Sequence, residues 1–563
     1  MRPHQRRKDN LRANVRSDNP RLSGIHSRVV WLVSILVIGF ILMQARLVTV
    51  ASLPVAEAND IHATQNHEPP RRGDVYDING TLLATSLTTY SLYADPKYVM
   101  DVDEVVSKLQ MVLPDLSDDL IRRRVTKNNR FVWLKKNLTP KQVYAVNALG
   151  LPGLGFREER TRFYPQEERL AHLLGSVNYQ NQGTSGFEAA YNDKLVAGED
   201  LHTTIDMRLQ NKLHKVLAKS LKDTKAKGVW GVVLDAKTAQ VRAIASLPTF
   251  DPNHYGDANP KLWFNPTISG VYEMGSTFKI FTLAQALEQD IVDLDTLLDA
   301  RFPLRIGKYR IHDPYPKARW MTAAEVFKYS SNIGASLIAD QFGAVAQQNF
   351  LRSLNLTSTI GVPLKGEVNP LMPPMRNWKR LATMNIAFGH GLAVTPLQLT
   401  AAVRAVSVDG DWRMPTFDVN EQGRVTKKVV SQQTTQEVRK LMRMVVESGT
   451  GQKANVGYDV GGKTGTAEKA AAGGYARNKN MASFVGVIPA EEPELVALFM
   501  VDEGLEGEGT GGGVAAPVFG EFVENIAPII GLEPKQKNTD YGFVNAAVEG
   551  GQREAFQAAW ARN

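Results

Sequence analysis

The sequence predicts an α+β fold behind a single N-terminal transmembrane helix, and three observations carry that prediction. Residues 29–45 form an uncharged apolar run that follows a basic tail. Residues 51–204 are rich in turn residues and short alternating stretches, as in an extended β-rich module without a single tight core. From about residue 205, strands precede a helical middle and then return, the pattern of helices packed on an antiparallel sheet. The expected partition is a tail (1–28), a membrane helix (29–50), an N-terminal module (51–204), a second module (205–531) and a C-terminal tail (532–563).

The charge is uneven. Of a net +8 over 563 residues, the first 28 contribute +6: Arg2, Arg6, Arg7, Lys8, Arg12, Arg16, Arg21 and Arg28 against Asp9 and Asp18. The remainder is close to neutral, which argues against a nucleic-acid-binding domain with its own basic face. The tail reads as a topology signal. The run Val29–Ala45 rises about 25 Å, near the lower limit for a membrane span, and Arg46 can snorkel so that the helix continues to about Val50. Basic residues stay on the cytoplasmic side, so the rest of the chain is expected outside. Ala56 and Ala58 resemble a signal-cleavage site but lie too far beyond the apolar core for ordinary processing. There is no cysteine, which excludes disulfides and thiolate metal sites and fits an oxidising compartment. No metal or cofactor site is expected.

After a polar linker, an Asn-Gly turn at 79–80 joins two short strands. Helices are expected over Val105–Leu113 and Pro140–Leu149. Further on, Met207–Lys222 reads as a helix before two strands that meet at a Lys-Thr-Ala turn. Ser276–Gln289, Thr322–Tyr329, Ile333–Phe342 and Pro396–Ser407 read as helices, and Gly461–Glu468, Ala482–Ile488 and Leu495–Val501 as strands.

Three short patterns occur in order: Ser276-Thr-Phe-Lys279, Ser330-Ser-Asn332 and Lys463-Thr-Gly-Thr466. Singly each has a bland reading, respectively a chance match, a helix cap and a strand-entry turn. Together they have the parts of nucleophilic catalysis. On a helix, Lys279 stands one turn beneath Ser276. A serine hydroxyl needs an adjacent base, and a lysine serves once burial or a neighbouring cation depresses its pKa. Gly275 leaves room at a helix start whose free N–H groups suit an oxyanion. Ser330 and Asn332 put a hydroxyl and an amide into one cleft. In the strand, alternation separates Lys463 and Gly465 from Thr464 and Thr466. Gly465 would allow close backbone approach, and Lys463 with the two threonines suits a terminal carboxylate.

This combination resembles the signature of penicillin-binding proteins and serine β-lactamases. The flanks are similar to class B penicillin-binding proteins: RRGDVYDINGTLLA, RTRFYP and GTSGFE in the first module, then FGHGLAVTPLQLTAAVRAV (388–406) and VGGKTGTAEK. The resemblance implies a β-lactamase-like transpeptidase domain on a pedestal/dimerisation module, with Ser276, Lys279, Ser330 and Lys463 catalytic and Asn332, Thr464, Gly465 and Thr466 binding substrate. It implies a D,D-transpeptidase that cross-links peptidoglycan stem peptides through a serine acyl-enzyme and is inhibited by β-lactams. GSTFKIFTLAQALE and DVGGKTGTAEK look like the septal cell-division type of Gram-negative bacteria. That type implies an inner-membrane anchor, a periplasmic enzyme, and partnership with a polytopic lipid-II polymerase and other division proteins. An elongation-type transpeptidase is the alternative within the class; a penicillin-sensing receptor or a division scaffold is the alternative outside enzymes. A β-lactamase is disfavoured because no E-x-x-L-N segment lies between Ser330 and Lys463. A bifunctional synthase is disfavoured because residues 50–200 lack E-D-x-x-F-x-x-H. Ile78, Ala239, Met274 and Thr510 depart from the family's usual wording.

Overall fold

The computed structural model describes residues 31–46, 71–421, 425–471, 474–507 and 509–535. The basic tail, the linker with Ala56 and Ala58, and the last part of the 532–563 segment lie outside the described residues. The chain forms two units, Met1–Pro69 and Pro70–Asn563. In the first, α1 (Trp31–Arg46) is apolar and exposes all its described side chains.

The larger unit begins with β1 (Val75–Tyr76), which turns through Asp77–Gly80 into β2 (Leu82–Ala94). The Asp77 carboxylate accepts from the Asn79 and Thr81 amides, and Gly80 has φ +82°, so the expected Asn-Gly turn closes the hairpin. Then come α2 (Val102–Val112), α3 (Asp118–Val125), β3 (Val132–Leu138), α4 (Pro140–Ala148) and β4 (Leu154–Phe163). β4 pairs along ten residues of β2, and β5 (Leu201–His202) adds in parallel to β1. The module is extended, as expected, and its apolar residues fall in two clusters along β2, with Val75, Leu83 and Ala84 in one. Leu92, Val105, Leu109, Ile121 and Leu134 close a compact α+β core. Its strands alternate weakly in sequence because β2 mixes threonine and serine among its apolar residues.

At the module's base, Glu188 sits between two arginines. Its Oε2 accepts from Arg72 Nε at 2.6 Å and its Oε1 from Arg162 Nε at 2.6 Å, with all three side chains no more than 1% exposed. This buried triad joins the RRGD, RTRFYP and GTSGFE segments that the sequence marked only as words.

The second module opens with α5 (Met207–Thr224), β6 (Gly228–Asp235) and β7 (Val241–Leu247). A tight turn at Gly275–Phe278 leads into α6 (Lys279–Glu288). Next are α7 (Ala323–Lys328), α8 (Asn332–Ser353), α9 (Pro396–Ser407) and α10 (Gln432–Ser448). The helix expected to stop at Phe342 does break there: Gly343, with φ +73° and an extended ψ, kinks the chain, and a second helical stretch runs on to Ser353. The chain finishes with β8 (Gly461–Ala471), β9 (Gly474–Ile488), β10 (Leu495–Asp502) and α11 (Ala516–Ile530).

The antiparallel sheet runs β8-β9-β10-β6-β7 and is buried on both faces. Along β10, Leu495, Ala497, Phe499 and Val501 pack with α5 and α11, while Val496, Leu498 and Met500 pack with α6, α9 and α10. Among the described residues, Gly511–Ile530 is the helical stretch long and apolar enough to cross a membrane. It instead buries Phe519, Phe522, Val523 and Ile526 against the sheet, so its apolar character belongs to the core.

Candidate active site

The short helical turn before α6 places Ser276 half-buried at its start and Lys279 fully buried one turn on. Gly275 is essential to that placement. It has φ +53°, and a Cβ there would lie 2.5 Å from the Thr466 carbonyl, so β8 and the turn meet backbone to backbone.

Lys279 Nζ is the hub. It lies 2.9 Å from Ser276 Oγ, 2.6 Å from the Ser330 carbonyl, 3.1 Å from Ser330 Oγ and 2.7 Å from Asn332 Oδ1. Asn332 Nδ2 donates to the His312 carbonyl at 3.1 Å, which fixes Oδ1 toward the lysine. Burial pushes the Lys279 pKa well below the ordinary lysine value; Lys463 lowers it further, and Asp313 opposes in part. A neutral amine has two N–H donors and one lone pair. The Ser330 carbonyl and Asn332 Oδ1 can only accept, so they take the two N–H groups. The lone pair is then left for the Ser276 hydroxyl, the arrangement a general base needs.

Lys463 is also fully buried. Its Nζ donates to Ser330 Oγ at 3.0 Å and to the Thr464 carbonyl at 3.2 Å, and burial pushes its pKa down to about 7. Ser330 Oγ thus lies within 3.1 Å of Lys279 Nζ and 3.0 Å of Lys463 Nζ, placed to exchange a proton with either. Ser330 has φ +60°, an uncommon conformation for a residue with a side chain. Ser331 caps α8 by accepting from Gly334 N at 3.0 Å. The cap reading and the chemical reading of the Ser330–Asn332 segment therefore both apply, to adjacent residues.

Thr464 and Thr466 lie on the other side of β8, as alternation predicts. Thr464 Oγ1 pairs with Thr450 Oγ1 at 2.7 Å, and Thr466 Oγ1 accepts from Gly511 N at 3.0 Å. Each arrangement leaves a hydroxyl donor for an anion. Gly465 also has a packing use. The space its Cβ would take is filled by the protein itself, with the Met274 carbonyl 2.6 Å away and Ser483 Oγ closer still. Its small size seats β8 against the Ser276 turn.

Two further residues shape the site and went unnoticed in the sequence. Asp313, buried, accepts from Ser331 Oγ at 2.7 Å and Ile333 N at 3.0 Å, holding the turn that carries Ser330. Thr450 holds Thr464. Neither is singled out by its residue type, although Thr450 lies in the family-like flank 446–469; the fold brings both to the site. His390 beside the cluster is pushed down to about 4 by burial and by Lys279, and stays neutral.

An antiparallel sheet between two helical layers, with a serine hydroxyl 2.9 Å from a buried lysine amine where a helix start meets the edge strand, fits an active-site-serine acyl-transfer enzyme. Residues 229–524 match the penicillin-binding protein transpeptidase domain and residues 67–227 the penicillin-binding protein dimerisation domain. The chain belongs to the class B penicillin-binding proteins. It is 36% identical to a probable peptidoglycan D,D-transpeptidase FtsI of Caulobacter vibrioides over 82% of each chain. It is 32% identical to a probable peptidoglycan D,D-transpeptidase PenA of Neisseria gonorrhoeae over 84% of this chain and 86% of that one. The structure superposes on penicillin-binding protein 3 of Mycobacterium tuberculosis in complex with aztreonam with a TM-score of 0.66 and 25% identity, covering 84% of this chain and 99% of the other.

Proposed function

We propose that this chain is a peptidoglycan D,D-transpeptidase that cross-links stem peptides at the division septum through an acyl-enzyme on Ser276. The observation that carries the reading is the Lys279 amine, buried, pushed toward neutrality and 2.9 Å from Ser276 Oγ.

In this mechanism Ser276 Oγ attacks the carbonyl of the penultimate D-Ala as its proton passes to Lys279. The Ser276 and Thr466 amides receive the oxyanion. Ser330, hydrogen-bonded to both lysines, relays the proton to the departing D-Ala nitrogen, and the C–N bond breaks. An acceptor amine then attacks the acyl ester, its proton returns along the same path, and Ser276 is regenerated with a new peptide bond. Thr464 and Thr466 hold the terminal carboxylate, Asn332 orients Lys279 and the donor, and Gly465 seats the strand. A β-lactam follows the first half, but its leaving nitrogen stays tethered.

The septal reading rests on the relative named FtsI. Anchoring through residues 29–50, with the 1–28 tail cytoplasmic and everything beyond outside the inner membrane, is part of the proposal. So are the module limits at 51–204 and 205–531 and the polymerase partner. Intact-protein mass spectrometry after benzylpenicillin should show one adduct mapping to the Ser276 peptide. An adduct that persists in Ser276→Ala would overturn the assignment. A reporter active only outside the cytoplasm should work when fused after residue 60 and fail before residue 28, and fluorescent penicillin should collect at the septum.

A further inference from the structure

Between the Ser276 turn and the Ser330 turn, the chain runs out into a hairpin of two short strands, Leu304–Ile306 and Tyr309–Ile311. Its inner residues anchor it: Ile311 packs with Met384 and Phe388, and Leu304 and Ile306 rest on the same cluster. Its outer residues do something that folding alone does not ask for. Arg305 stands directly opposite Arg310 in the strand register, and both are exposed. Like charges across a strand pair repel and weaken the hairpin. Lys308 at the tip and Lys317 beyond are also exposed. Nearby Arg301 and Arg319 are matched by Asp299 and Glu325, but among the described residues no carboxylate lies within ion-pair distance of Arg305, Lys308, Arg310 or Lys317. Asp313, the carboxylate nearest in sequence, is buried and committed to Ser331 and Ile333. Tyr309 and Tyr315 are 52% and 75% exposed among these cations.

The hairpin is wired to the reaction centre. The residue after its second strand, His312, accepts from Asn332 Nδ2, and Asn332 Oδ1 accepts from Lys279 Nζ, so two hydrogen bonds separate the hairpin's exit from the candidate base. Lys279 and Lys463 are sealed from water and present no charge at the surface, whereas Arg305, Lys308 and Arg310 of the hairpin do.

We propose that this hairpin is a docking surface for an acidic stem peptide, its cations engaging carboxylates other than the one at the scissile end. The proposal rests on the transpeptidase reading for the identity of the peptide. Charge complementarity selects the occupant: Lys308 and Lys317 lie over the Tyr309 and Tyr329 rings and Arg305 donates to the Gly307 carbonyl, but among the described residues none of the four cations has a carboxylate partner, so they favour a substrate that carries several anions, and the arginine pair gains most when an anion bridges it.

The test uses the full-length chain in detergent carrying Ser276→Ala, so that binding is read without reaction. The probe is a fluorescent acidic pentapeptide ending in D-Ala-D-Ala, compared with an analogue whose internal carboxylates are amidated. Adding Arg305→Gln, Lys308→Gln and Arg310→Gln together should weaken the acidic peptide about tenfold, since each exposed charge contact is modest. The effect should shrink with salt, and the amidated analogue should change little. In a chain that keeps Ser276, the same triple substitution should still be acylated by benzylpenicillin, which is too small to span the rim. No change with the acidic peptide, equal loss with both peptides, or tighter charge-dependent binding of anionic vesicles or an oligonucleotide would each overturn the proposal. The two readings separate cleanly. Charge-dependent peptide binding in a wild-type chain that never turns the peptide over sinks the transpeptidase reading alone; turnover with hairpin-independent affinity sinks the docking surface alone.

Discussion

Replacing Lys279 with methionine isolates what its amine does. Methionine matches the length of the lysine stem and carries no charge, so it fits a space that is 0% exposed. Arginine would be the wrong control, because it would seal a guanidinium that cannot shed its proton away from water. The substitution leaves two partly buried acceptors, the Ser330 carbonyl and Asn332 Oδ1, without their donor. Each orphan costs about 1–3 kcal/mol. Against that stands the relief of a burial penalty large enough to push the amine well below its usual pKa, and of its repulsion with Lys463. The relief offsets part of this cost, and a net loss of about 1–3 kcal/mol is expected, a melting shift of several degrees in a domain this large. The rate has no such compensation. Loss of a general base costs about 10²–10⁴-fold, or roughly 3–5 kcal/mol of barrier. Acylation by benzylpenicillin, followed by intact mass against time, should fall by at least a hundredfold while the protein still melts cooperatively. The wild-type rate should rise with pH below the ordinary lysine range, and Lys279→Met should lack that rise. Acylation within tenfold of wild type in a folded Lys279→Met protein would refute the reasoning and shift the base to Ser330 and Lys463.

Thr466→Val removes a hydroxyl whose remaining donor faces the carboxylate position; acylation by a D-Ala-D-Ala thioester should slow about ten- to a hundredfold, the cost of one charge-assisted contact of about 1.5–3 kcal/mol, while a C-terminal amide analogue barely changes. Lys463 has a folded pKa of about 7, below its unfolded value, so between that pH and the ordinary lysine pKa the unfolded chain holds a proton the folded chain lacks. Its contribution to stability therefore rises with pH across that window, by at most about 1.4 kcal/mol per pH unit, and the burial cost is borne in full below it. Urea midpoints at pH 7 and 9 should show this rise in wild type relative to Lys463→Met; an identical pH slope in both would contradict the assignment. Glu188→Ala leaves Arg72 and Arg162 buried without a counter-charge and should cost about 3–5 kcal/mol, read as a large drop in the melting temperature; a shift of under one degree would show that water replaces the carboxylate.

What could be read directly from the chain was whatever depends on near neighbours. The i, i+3 spacing of Ser276 and Lys279 is a property of one helical turn. The sidedness of Lys463 against Thr464 and Thr466 follows from strand alternation, and the caps and the Asn-Gly turn are local chemistry. From these came the α+β order, most of the principal helices and strands near their observed positions, and the candidate residues. What no local pattern encodes is how distant segments meet. Lys279 reaches Ser330 and Asn332 across more than fifty residues, and Thr464 depends on Thr450. Asp313 holds the Ser330 turn from a segment eighteen residues earlier in the chain. The same limit governs what small residues and apolar stretches do. Gly465 is small because the Met274 carbonyl lies against it. The N-terminal module has a closed core because helices separated in sequence pack on a weakly patterned strand. The segment 511–530 is apolar enough for a bilayer yet lies against the sheet. Composition and periodicity report how much apolar surface must leave water; only the packed structure determines which surface covers it, and with that, which lysine loses its charge beside which serine.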